Sequence, residues 1–105
     1  MFRPIDISNL AQVSPKLYEL SKDVLFEDIW KREALDTKTR CVLTISALMT
    51  LGRYSQLNWH IQNALKQGIS KEEILEMVTH LAFYIGLPNA ISALEHMPEE
   101  IWTCP

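Results

Sequence analysis

Apolar residues recur every three or four positions through most of this chain, and the spacing breaks only where proline or glycine interrupts it. That pattern restricts the fold to packed helices. Ser14-Pro15 reads as a cap followed by a first-turn proline, and Leu17, Leu20, Val24, Leu25 and Ile29 follow at helical spacing, which predicts a helix over 15–31. Asp36 marks a second start. From Thr37 to Leu51 apolar residues fall on every side, the pattern of a central, largely buried helix stopped by Gly52. A third helix is expected from Tyr54 or Ser55 to Gly68, a residue suited to a left-handed C-terminal stop. Ser70 and Glu73 have the spacing of a capping box and open a fourth helix that runs to Tyr84 or Ile85. Gly86 breaks the chain, and Pro88 opens a short fifth helix that ends before Pro98. No segment alternates with period two. The expected architecture is all-α, a single domain of about five helices over residues 1–105.

Composition narrows the function classes. With 105 residues, 48% of them hydrophobic, a helical chain hides only about two thirds of its surface by folding, so further burial in a homo-oligomer is expected. A net charge of −3 and ten scattered Lys and Arg residues do not make a phosphate-binding surface, which argues against nucleic acid as a partner. The N-terminus has no charged segment followed by an apolar run, and no stretch has the length of a membrane span, so a cytoplasmic protein is expected. Cys41 and Cys104 are far apart and form no CxxC, so both are read as thiols. His60, His80 and His96 offer no i,i+4 pair and no neighbouring thiolate, so no metal site is expected, and no cofactor is implied.

One polar residue stands out against the third helix. Leu57, Ile61, Ala64 and Leu65 mark its inward stripe, and His60 lies three residues after the first and four before the third. It is either a core histidine with satisfied ring nitrogens or a general acid/base tuned by its surroundings. Periodicity does not choose between them. His80, between Met77 and Tyr84 on the fourth helix, presents the same choice, and Trp59 points to another side of its helix, as a residue at a subunit contact would.

The order of motifs goes further. Trp30 before a short basic turn, Arg40 at the start of an apolar helix, "LGR" at 51–53, His60, "AL..GIS.EEI" from Ala64 and "AFYIGLPNA" from Ala82 together resemble the carboxymuconolactone decarboxylase family, over roughly residues 24–95. The resemblance implies the compact helical domain of that family and of its AhpD-like alkylhydroperoxidases, assembled as a trimer or hexamer; a homo-oligomer of at least three chains is expected, with helices one and four or five contributing to the contacts. AhpD-like members carry a CxxC seven and four residues before the histidine, where this chain has Arg53 and Gln56. Decarboxylase-like members have a polar or acidic residue at the Gln56 position and keep the histidine.

The resemblance therefore implies a lyase for a small carboxylated lactone or enol-type substrate. His60 would be the catalytic residue, and Arg53, Gln56, Arg40 and Tyr84 would bind substrate. The residues themselves leave other readings open: Arg40 as a structural partner of Glu27 or Glu33, Arg53 as a solvated side chain, Tyr84 as an aromatic core residue. Two other functions also stay open, an AhpD-like antioxidant oxidoreductase and a non-catalytic small-molecule-binding oligomer.

Overall fold

The computed structural model describes Arg3 and residues 5–103, and Cys104 lies outside them. The chain divides into two compact units, residues 1–37 and 38–105. No described residue lies in a strand, and no helix among the described residues is long and apolar enough to cross a membrane.

The N-terminal unit opens with a helix that the apolar spacing does not reveal, α1 (Ile7–Val13). Its signal lies in the capping chemistry. The Asp6 carboxylate accepts from the backbone N–H groups of Ser8 and Asn9, while Asn9 Oδ1 accepts from the Asp6 N–H at 3.0 Å. The single helix expected over 15–31 is instead three helical forms: α2 (Pro15–Leu20), a π-helical continuation (Ser21–Phe26) and a 3₁₀ turn (Ile29–Lys31). The π-helical register closes with the Glu27 N–H donating to the Lys22 carbonyl, 3.0 Å away. Side-chain spacing over six residues does not distinguish an i→i+5 ladder from an i→i+4 one, because both return a residue to the same face within about a turn.

The second unit holds α3 (Thr37–Leu51), α4 (Tyr54–Lys66), α5 (Lys71–Ile85), α6 (Leu87–Glu95) and α7 (Glu99–Trp102). Two glycines set the first two corners. Gly52 has φ +69° and Gly68 has φ +95°, the left-handed region that side chains with a Cβ avoid. At each, the following residue reaches back across the corner, Arg53 N–H to the Leu48 carbonyl at 2.9 Å and Ile69 N–H to the Ala64 carbonyl at 3.0 Å. These are Schellman closures, and the second is accompanied by burial of Ile69 and Ala64 together. Ser70 then caps α5 as its spacing predicts: its hydroxyl accepts from the Glu73 N–H at 3.0 Å and Glu73 returns the bond to the Ser70 N–H at 3.1 Å.

The core of this unit gathers one stripe from each helix: Cys41, Ile45 and Met49 from α3, Leu57, Ile61 and Ala64 from α4, Ile74 and Val78 from α5, Ala90 and Ala93 from α6. A largely buried helix at 37–51 is not what forms. Only that one stripe of α3 is buried, and Leu43 and Leu51 are 54% and 67% exposed. An apolar residue on every side of a helix does not specify what covers each side. Pro98 does more than stop the fifth helix: it precedes the short α7, whose Ile101 is buried.

Two substitutions test this packing. Ser70→Ala removes the cap and should cost about 1 kcal/mol, whereas Ile61→Ala, at a side chain with no exposure, should cost about 2–5 kcal/mol. Equal losses in chemical denaturation would contradict the assignment of one to a helix end and the other to the core.

Candidate functional site

The Gly52 corner places Arg53 twice over. Its N–H closes α3 and its carbonyl accepts from the Leu57 N–H at 2.9 Å, so the residue ends one helix and begins the next. Counting along α4 from there, Arg53, Gln56 and His60 stand at i, i+3 and i+7 and share one side of the helix. That side borders the buried stripe of Leu57, Ile61 and Ala64. Arg53 and Gln56 are exposed, and His60 is half-buried at the edge of the core. The structure thus brings together three of the five residues singled out by the sequence.

His60 is neither a surface histidine nor a fully enclosed one. The Trp59 ring meets its ring edge-on, with centroids 4.8 Å apart and planes at 82°. Burial pushes the imidazole pKa below its ordinary 6.5, because the charged form loses water it does not fully recover. A group so placed is mostly neutral at pH 7 and, when protonated, is a stronger acid than free imidazole.

The other two candidates lie elsewhere. Arg40 is half-buried in the first turn of α3 with its Nε shielded from solvent. Tyr84 is 76% exposed near the end of α5, where its ring meets that of His80 with centroids 5.1 Å apart. Cys41 is buried in α3, and desolvation pushes its thiol up, away from the reactive thiolate a peroxidatic cysteine needs.

Two arrangements emerge only in the folded chain. A groove of about 420 Å³ runs between α3 and α5, lined by Val42, Ser46, Ile69, Glu73, Glu76, Met77 and His80. Lys38 pairs with Glu73 at 2.9 Å across its end, and the ammonium hydrogen bond holds the Glu73 carboxyl below its usual range. The α5 wall of the groove, Glu73, Glu76, Met77 and His80, has the i, i+3, i+4, i+7 spacing of one helix face. On the opposite flank of α4 from His60, the Tyr54 hydroxyl donates to Asn89 Oδ1 at 2.9 Å, the Tyr54 ring stacks on His96 at 4.6 Å, and Asn58 Nδ2 donates to the His96 carbonyl at 2.9 Å. This network joins α4 to both ends of α6, through Asn89 in its first turn and His96 at its C-cap. No spacing rule pairs residues 35 or 38 positions apart.

The depressed His60 pKa has a consequence for stability. Between the folded value and 6.5 the unfolded chain binds more protons than the folded one, so stability rises with pH across that interval. The contribution is complete above 6.5 and is lost as pH falls through the folded pKa. Glu73 acts in a separate, lower window: its contribution is present above its ordinary 4.5 and is lost as pH falls through its depressed folded value. Melting temperatures between about pH 5 and 7.5 should therefore fall with acidity in the parent and fall less in His60→Gln. Parallel curves would show that His60 titrates alike in both states.

Comparison with known proteins bears on the family. The family model described as "Carboxymuconolactone decarboxylase family" matches residues 15–97. A 4-carboxymuconolactone decarboxylase of Acinetobacter baylyi is 37% identical over 96 residues, covering 91% of this chain and 71% of that protein. The nitrosuccinic acid decarboxylase npaB of Metarhizium robertsii is 33% identical over 76 residues, covering 72% of this chain and 53% of its own length. A 15.0 kDa protein from the nqo9-nqo10 intergenic region of Paracoccus denitrificans is 33% identical over 92 residues, 86% of this chain and 69% of that one. With helices and no strand among its described residues, a family match over most of its length and similarity to two decarboxylases, this chain belongs to the carboxymuconolactone decarboxylase family.

Proposed function

We propose that this protein is a carboxy-lyase for a small carboxylated lactone or enol-type acid, working as a homo-oligomer with the Arg53, Gln56 and His60 flank of α4 as its reactive face. The observation that carries the reading is the placement of His60: half-buried, with its pKa lowered by desolvation, on the same side of α4 as a cation and an amide. The names of the two decarboxylase relatives support loss of a carboxylate as the reaction class.

The chemistry asks three things of these side chains. Arg53 holds a substrate carboxylate through its planar fork, and Gln56, one turn on, offers an amide donor to a lactone or enol oxygen. When the C–C bond to the carboxylate breaks, CO₂ leaves and the electron pair spreads into the conjugated carbonyl as an enolate. His60 then supplies a proton to the carbon that lost the carboxylate or to its vinylogue. Desolvation makes its imidazolium a willing acid, while a bound substrate carboxylate raises the imidazole pKa and so recruits the proton as substrate arrives. Arg40 on α3 and Tyr84 on α5 lie off this flank and have no step in this scheme.

Peroxide reduction is the competing chemistry, and the raised pKa of buried Cys41 opposes it. Cys41→Ser should leave any hydroperoxide consumption unchanged.

The test uses 4-carboxymuconolactone as substrate with parent and His60→Ala proteins side by side. The expected result is a loss of turnover of about 10²-fold or more, with a stability loss below about 2 kcal/mol. A large loss of stability with unchanged turnover would make His60 a packing residue and remove the proposed acid.

A further inference from the structure

Trp59 is a large side chain on α4 that the buried stripe of its own helix does not explain. It lies two residues from Leu57 and two from Ile61, about 200° around the helix from each, so it projects away from the core. Its side chain is 44% exposed, and its ring meets that of His60 edge-on with centroids 4.8 Å apart.

That contact is not the default for its spacing. Neighbours along a helix project about 100° apart and do not face each other. Helical side chains, however, lean back over the preceding turn, toward i−3 or i−4. Gln56 is i−3 from Trp59 and i−4 from His60, so the two rings can converge over that one turn. With 82° between the planes, the indole stands as a wall against the imidazole. It stands on the water side, because Trp59 projects away from the core that His60 borders.

A proton donor at the edge of a core can fail in two ways. A ring free to turn presents its N–H to substrate only part of the time, and a ring open to water gives its proton to water. An edge-on aromatic neighbour limits both losses.

We infer that Trp59 is a positioning residue for His60: its indole holds the imidazole plane and screens it from water, so that the ring proton goes to a substrate held by Arg53 and Gln56. This inference rests on the lyase reading above and adds a residue to it. The step it serves is one proton transfer. As CO₂ leaves, the N–H bond of the imidazolium breaks and a C–H bond forms at the carbon that lost the carboxylate or at its vinylogue. The neutral ring regains a proton from water once product has gone. Trp59 exchanges no proton in that step. The lowered His60 pKa, which burial causes, is the mark of a ring so screened.

The test compares the parent with Trp59→Phe and Trp59→Ala, using 4-carboxymuconolactone as substrate, and follows the His60 imidazole signals of the free proteins by NMR across pH. In Trp59→Ala, kcat should fall about tenfold or more with KM within about twofold, because a displaced catalytic group costs turnover more than binding. The His60 pKa should rise toward 6.5 in the same variant. Trp59→Phe keeps a ring and should restore most of both. A parent that does not turn over the lactone would overturn the lyase reading and this role with it. Turnover in the parent, with kcat or the His60 pKa unchanged in Trp59→Ala, would overturn the role of Trp59 and leave the lyase reading standing. A fall in assembly mass by light scattering in Trp59→Ala would do the same, by assigning Trp59 to a subunit contact. If Trp59→Ala does not fold, Trp59→Leu keeps bulk without a ring and should lower kcat where Trp59→Phe does not; equal kcat in those two variants would overturn the role.

Discussion

Burial of Leu57, Ile61 and Ala64 is the constraint on which the rest of the second unit depends. These three side chains have no exposed surface and set the rotation of α4 about its own axis. Once that rotation is set, Arg53, Gln56 and His60 must stand on one border of the core, and Tyr54 and Asn58 on the other. The Schellman closures at Gly52 and Gly68 fix the helix along its length in the same way, one supplying Arg53 as the first residue of the turn and the other seating Ile69 in the core. Packing and corners together leave His60 little freedom in where it stands, although its ring sits at the margin where water and protein meet. Partial burial at that margin accounts for its lowered pKa.

The two borders of α4 serve different ends. On one, Tyr54, Asn58, Asn89 and His96 engage one another through hydrogen bonds and stacking, which ties α4 to α6 and leaves few groups for a ligand. On the other, a guanidinium and an amide remain exposed beside a half-buried imidazole. Polar groups that are mutually satisfied hold a fold together, as those of the first border do.

Helices α3 to α6 are legible in the sequence because each carries an inward stripe and an end marked by Gly, Pro or a capping box, signals that act over one or two turns. The place of His60 beside the α4 stripe follows from the same counting. Helix α1 escapes it because its signal is a cap, Asp6 with Asn9, without a buried stripe behind it. The π-helical stretch at Ser21–Phe26 differs from an α-helix by one hydrogen-bond register, to which side-chain spacing is blind over so few residues. The α3–α5 groove and the Tyr54–Asn89–His96 network depend on contacts between helices, which no local spacing encodes. Apolar periodicity also does not tell a residue covered by its own chain from one left open, and so α3 reads as more buried than it is.

In the proposed mechanism the His60 side of α4, and neither of the other two histidine environments, receives the substrate acid. The three histidines make this directly measurable, since His60 sits beside Trp59, His80 beside Tyr84 and His96 on Tyr54. The imidazole proton signals of all three should be followed by NMR across pH while a non-reactive γ-lactone carboxylate is added. The expected result is that the His60 signals move and that its pKa rises on binding, as a neighbouring carboxylate stabilises the imidazolium, while the His80 and His96 signals are unaffected by the ligand. Unmoved His60 signals with a shift at His80 or His96 would contradict the mechanism and transfer the site to another face.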